Sequence, residues 1–139
     1  MEQKEIKITR NEAIILNQIL AGIKVKGMGV DARRKMIGLK LDLGRMAKTA
    51  EDFQKQTVES HKPENFKELQ AIDTEAGKKE FEKLSKEIES KVYEVLNPYY
   101  EELVTIHFDG IAAEEFDILS EQNELNLSAL EFLNQKLLA

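Results

Sequence analysis

The chain has 139 residues, 42% apolar and 33% charged, with a net charge of −6 and no cysteine. That length suits a single domain, residues 1–139, with one modest core. The missing cysteine excludes a disulfide framework, a thiolate metal site and a cysteine nucleophile. The charged start Met1-Glu2-Gln3-Lys4-Glu5 does not make a secretory apolar core, and no apolar run approaches the ~20 residues of a membrane span, so an intracellular protein without membrane attachment is expected.

The total charge hides a division. Residues 1–62 hold 13 Lys/Arg against 8 Asp/Glu, for +5, whereas residues 63–139 hold 7 against 18, for −11. Between Lys24 and Lys48 the chain places Lys24, Lys26, Arg33, Arg34, Lys35, Lys40, Arg45 and Lys48 against only Asp31 and Asp42. Such patterning reads in three ways: attraction between the halves within one fold, an anionic partner for the basic segment, or head-to-tail assembly of copies.

Glu5-Ile6-Lys7-Ile8 alternates as a short half-buried strand does. Thr9-Arg10-Asn11-Glu12 is a capping box with Ile8 and Ala13 at the staple positions, so a helix begins here. Its stripe is Leu16, Ile19, Leu20 and Ile23, and Gly27 is its expected stop. After the glycine turn Lys26-Gly27-Met28-Gly29-Val30, Asp31 is the expected N-cap of a long second helix over about 31–60.

That helix carries Met36, Leu39, Leu43, Met46, Ala50, Phe53 and Thr57 at alternating steps of three and four, a heptad seam. Gly38 and Gly44 each cost it about 1 kcal/mol relative to alanine, which close backbone packing against a neighbour, or a bend, would explain. Pro63 and polar residues then mark a loop over residues 60–73, with a helical turn offered by Phe66, Leu69 and Ile72. A third helix, about 74–97, shows Phe81, Leu84, Ile88, Val92, Val95 and Tyr99 as its seam, and Asn97-Pro98 should kink or restart it. Two such arms make an antiparallel helical hairpin over 36–57 and 81–99.

Val104-Thr105-Ile106-His107-Phe108-Asp109 alternates as a second strand ending at the turn Asp109-Gly110, and its natural partner is the strand at Glu5–Ile8. The C-terminal strand and helices fill 104–139. Ile111 to Leu119 reads as a short helix with Ile111, Phe116 and Leu119 inward, and Gln122-Asn123-Glu124 as a loop. Ser128-Ala129-Leu130-Glu131 is a second capping box, with Leu127 and Phe132 as its staple and Leu130, Leu133 and Leu137 as the stripe. The fold class is mainly α, a helical hairpin or bundle with a two-stranded β element joining the N-terminal and C-terminal segments.

No catalytic constellation emerges. The two histidines, His61 and His107, lack motif company, and His107 with Asp109 supplies only half of the three or four ligands a metal needs. Nucleophile elbows, phosphate loops, HExxH and calcium loops are missing, and carboxylate pairs such as Glu101-Glu102 or Glu114-Glu115 are expected by chance among 26 acidic residues. No enzyme activity, cofactor or metal is therefore expected. The partner-binding candidates are Lys24, Lys26, Arg33, Arg34, Lys35 and Lys40 around the glycine turn, and Tyr99 with Tyr100, which serve equally well as packing at a helix kink. The basic segment contains no aromatic side chain on which bases would stack, which argues against nucleic acid as its partner.

Three stretches, ITRNEAIILNQIL (8–20), NPYYEELVTIHFDGIAAEEFDIL (97–119) and LSALEFLNQKLL (127–138), with a charged helical hairpin between them, resemble a loose group of small tailed-bacteriophage proteins of unknown function encoded among virion structure and assembly genes. The resemblance implies a phage-encoded helical accessory protein, in the host cytoplasm or the virion, and carries over no binding residue. The function expected is structural or assembly work through protein–protein binding, to copies of itself or to a larger virion protein. The alternative is an early protein that inhibits a host enzyme or defence factor by covering its surface.

Overall fold

The computed structural model describes residues 5–138, so the N-terminal residues 1–4, on which the reading of a charged start rests, lie outside them. Its elements run β1 (Glu5–Thr9), α1 (Arg10–Leu20), α2 (Val30–His61), α3 (Phe66–Gln70), α4 (Glu75–Glu101), β2 (Leu103–His107), α5 (Ala113–Gln122) and α6 (Leu127–Leu137). The described chain is thus mostly helical with one small sheet. No helix among the described residues is long and apolar enough to cross a membrane. The elements form two compact units, one built from the chain up to Lys48 and from Glu102 onward, the other from Thr49–Glu101.

In the first unit β1 and β2 pair antiparallel, with Ile6 opposite Ile106 and Ile8 opposite Val104, as the alternating sequences require. Ile8 and Ile106 are buried, while Lys7, Thr105 and His107 face outward. The ladder continues into the helix: the Arg10 amide donates to the Glu102 carbonyl at 2.8 Å, and the Arg10 guanidinium meets the Glu102 carboxylate at 2.8 Å. The expected capping box is formed in both directions, Glu12 N–H to Thr9 Oγ1 at 3.1 Å and Thr9 N–H to Glu12 Oε1 at 3.0 Å.

Helix α1 ends at Leu20, seven residues before the expected stop at Gly27. The breaker is nearer: Gly22 adopts a φ of 73°, left-handed backbone that glycine takes without steric cost. Ile23 therefore lies beyond the helix, although it still packs on the core. Asn123 holds this connection, accepting from the Lys24 amide at 2.8 Å and donating to the Lys24 carbonyl at 2.9 Å, as a neighbouring strand would.

α2 starts at Val30, which puts Asp31 within the first turn and not at the N-cap. Gly29 takes that place. Its carbonyl accepts from Arg33 N–H at 3.0 Å, and its own amide donates to the Glu115 carboxylate at 2.9 and 3.1 Å, so a side chain from α5 supplies the anion that a helix start favours. The cap of α6 is likewise displaced. Asn126 Oδ1 accepts from Ala129 N–H at 2.8 Å, so Ser128 sits inside the helix and Leu127 is exposed, in place of the expected Ser128 box and staple. Asparagine ranks with serine as an N-cap, and the upstream one prevails. Ile111 precedes α5 and is buried; its amide donates to the Leu137 carbonyl at 2.7 Å, which ties the end of α6 to the core.

In the second unit the chain runs up through the end of α2, turns through α3 and returns along α4. Phe53 stacks on Tyr99 with ring centroids 4.2 Å apart, and Phe66 meets Phe81 at 5.2 Å, so rising numbers face falling ones, as in an antiparallel hairpin. The side chains of α2 that meet the α4 cluster are Phe53 and Val58, whereas Met36, Leu39 and Leu43 belong to the core of the first unit. Along α4 the buried positions are Ile88, Val92 and Leu96, four apart, so the expected inward Val95 is exposed. Pro98 does not end the helix, which continues to Glu101. Proline sacrifices one amide bond, and here it does so in the last turns.

Candidate functional site

The seam Met36, Leu39, Leu43, Met46, Ala50, Phe53 and Thr57 is buried or half-buried throughout. It is spent inside the protein and is not a packing face for other molecules. Any contact surface on α2 therefore lies on the opposite side, where the basic residues are.

Lys24, Lys26, Arg33, Arg34, Lys35 and Lys40 are all exposed and all belong to the first unit. Among the described residues none of the six forms an ion pair. Lys35 donates instead to the Gly110 carbonyl at 3.1 Å, and Lys24 is held by its backbone, which leaves its ammonium in water. Internal pairing of the basic segment with the acidic half is therefore not what this geometry shows. Arg10–Glu102 at 2.8 Å and Glu5–His107 at 3.8 Å do join the two halves of the sequence.

Helical spacing sorts the cluster further. At 100° per residue, Arg34, Arg45 and Lys48 project from the side of α2 opposite Leu39 and Leu43, Arg33 and Lys40 from one flank, and Lys35 from the other flank, toward Gly110 and Glu115. Between these cations stand three aliphatic side chains in water: Val30 and Ile37 are each 53% exposed and Leu41 is 57% exposed. Neither Gly38 nor Gly44 is there for packing within the fold, since a Cβ at either position would meet nothing within 4 Å. The aliphatic residues, Arg45 and Lys48 were not among the candidates read from sequence. The signal was present, because apolar positions outside the inward stripe already recur at heptad spacing.

Tyr99 and Tyr100 do not join this surface; they belong to the second unit. Tyr99 is half-buried against Phe53, and Tyr100 donates its hydroxyl to Gln54 Oε1 at 3.0 Å. Burial raises the Tyr100 phenol above its usual range, with the nearby Tyr99 adding to the shift. Their contacts make them hairpin packing.

A shallow cleft of about 340 Å³ beside the start of α2 is lined by Val30, Asp31, Lys35, Ile111, Ala112 and Glu115. Its Glu115 already serves Gly29, and no nucleophile faces it. His61 Nδ1 donates to the Thr57 carbonyl at 2.8 Å, so it acts within its own helix. Among the described residues no three acidic or histidine side chains gather as metal ligands would. No family model matches the chain, and no curated protein or solved structure matches it significantly.

Proposed function

We propose that this chain is a small protein-binding protein in phage virion structure or assembly, active in the host cytoplasm or the particle, that meets an acidic protein surface through the basic side of α2. The observation that carries the reading is that Arg33, Arg34 and Lys40 are exposed cations of α2 that form no ion pair among the described residues, on a helix whose buried seam is turned to the core. Solvated charges of one sign raise the local potential, steer association and specify an opposite surface more than they stabilise a fold. The phage setting rests on the sequence resemblance.

Mass spectrometry of purified particles and assembly intermediates, from a phage encoding the chain, tests the setting; the chain should be present. The double reversal Arg33→Glu, Arg34→Glu tests the surface. Folding should change by no more than about 1 kcal/mol, because exposed charges contribute little, while incorporation should fall sharply. Incorporation unaffected by the reversal would remove the basic surface from the proposal. Absence from particles, with binding to a host protein that the reversal abolishes, would favour the inhibitor reading.

A further inference from the structure

The outward side of α2 carries more than charge. Val30, Arg34, Ile37, Leu41, Gly44 and Lys48 follow one another at steps of four, three, four, three and four. This is a second heptad seam, set opposite the buried one, and it runs about 27 Å at the α-helical rise. Its apolar members are more than half exposed, its glycine leaves the backbone open to close approach, and Arg33, Lys40 and Arg45 flank it.

We propose that this seam is the docking groove for an amphipathic helix of another protein, one that places apolar residues at heptad spacing between rows of Asp and Glu. The inference rests on the protein-binding reading above and names the class of partner. Charge complementarity selects it. Arginine forks match carboxylates in two-bond geometry, and Arg33 and Arg45 stand where the flanks of a coiled-coil partner would lie. The Arg45–Asp42 contact at 3.7 Å between exposed side chains leaves that guanidinium free to exchange partners.

Two other occupants fit less well. A second copy using the same seam would set cations against cations, and α5, which is acidic, shows no exposed large apolar side chain to fill the groove. A lipid surface calls for a broad apolar face, whereas this stripe is one seam wide and studded with charge.

The test uses the full-length chain and a fluorescent synthetic peptide of about three heptads with leucine at a and d and glutamate at the flanking positions. A scrambled peptide of identical composition and phosphatidylserine vesicles serve as the comparisons. The ordered peptide should bind, the scrambled one at least about tenfold more weakly, and the vesicles not at all. Ile37→Ser with Leu41→Ser should weaken the ordered peptide by a similar factor at an unchanged melting temperature. Gly44→Gln should weaken it too by blocking backbone approach, although its side chain meets nothing in the chain's own fold. If both peptides bind alike and the serine variant is indifferent, helix docking is overturned while the electrostatic reading of the function stands. If neither peptide binds, both readings fall. Binding of vesicles alone, or self-association that the serine variant abolishes, replaces the helix with a lipid surface or a second copy and equally overturns the proposal.

Discussion

The two units bury the same kind of sequence to different depths. In the first, Leu16, Leu20, Leu43, Leu119, Leu133 and Leu137 are wholly shielded, because sheet residues and side chains from four helices converge on them. In the second, the deepest large apolar side chains, Ile88, Val92 and Leu96, each keep 8% of their surface in water, and the rest of their cluster is half-buried. Both rest on heptad seams. What differs is the number of elements laid over the seam, since two helices and one short turn cannot enclose what a several-sided core can. Periodicity thus specifies which face turns inward, and tertiary cover decides how much stability that face yields.

The strongest way to break this contrast is a buried charge. Leu43→Asp should abolish cooperative folding, because an unpaired carboxylate in the interior costs several kcal/mol against a total stability of ~5–15. Leu84→Asp, at a half-buried position of α4, should leave a measurable unfolding transition lowered by only about 1–3 kcal/mol, since its carboxylate reaches water. Circular dichroism with urea titration distinguishes them. Equal damage from the two would mean that the second unit is as tightly enclosed as the first.

Truncation should give the next largest difference. Leu119→Ala, at a position with no exposure, should cost about 2–5 kcal/mol through lost burial and the cavity left behind. Val92→Ala should cost about 1–2 kcal/mol, because fewer atoms are lost from a site nearer to water. Native-state hydrogen exchange should likewise find the amides around Val92 opening at lower free energy than those around Leu119. Uniform protection would contradict the difference in cover.

What the sequence made legible follows the range of the interactions concerned. The capping box at Thr9 and Glu12, the alternation of the two strands and the inward seam of α2 are each written as a pattern within one continuous segment, and each formed. The helix ends did not follow so simply. Gly22 and Gly27 both adopt positive φ, at 73° and 88°, so composition alone could not say which glycine stops α1. Asn126 and Ser128 competed as caps, and Glu115 reached Gly29 from a helix distant in sequence. Of the candidate site, the six cations were legible, and the aliphatic residues between them were legible only as a second heptad recurrence, whose exposure is decided by what the rest of the fold lays over α2. Whether Tyr99 and Tyr100 were interface or packing also depended on Phe53 and Gln54, neighbours that spacing within their own segment does not reveal.

Smaller effects sharpen the local part of the contrast. Thr9→Ala removes one side of the box and should cost about 1 kcal/mol. Gly38→Ala and Gly44→Ala should each stabilise the chain by about 0.5–1 kcal/mol, since the added methyl meets no atom and the unfolded chain loses freedom. Thermal melts resolve both signs. Destabilisation by either alanine would mean that the glycine serves the helix's own shape and not an outside approach.

The smallest effect is a pH dependence confined to the second unit. Burial disfavours the Tyr100 phenolate, and charge on Tyr99, whose ring centroid lies 5.6 Å away, disfavours it further, so the folded phenol holds its proton above the usual value of about 10. A group whose pKa is raised on folding contributes stability that is fully present below the unfolded value and is lost as pH rises through the folded one. The contribution is therefore complete at neutral pH and disappears only in alkali, where ionisation also removes the proton donated to Gln54. Tyr100→Phe keeps the ring and deletes the titrating group. Ultraviolet difference titration should show one late-ionising phenol in the native protein that is missing from the variant, and the variant's melting temperature should decline less steeply across the alkaline range. An identical decline in the two proteins would assign the alkaline loss to other groups and leave the Tyr100 hydroxyl without energetic consequence.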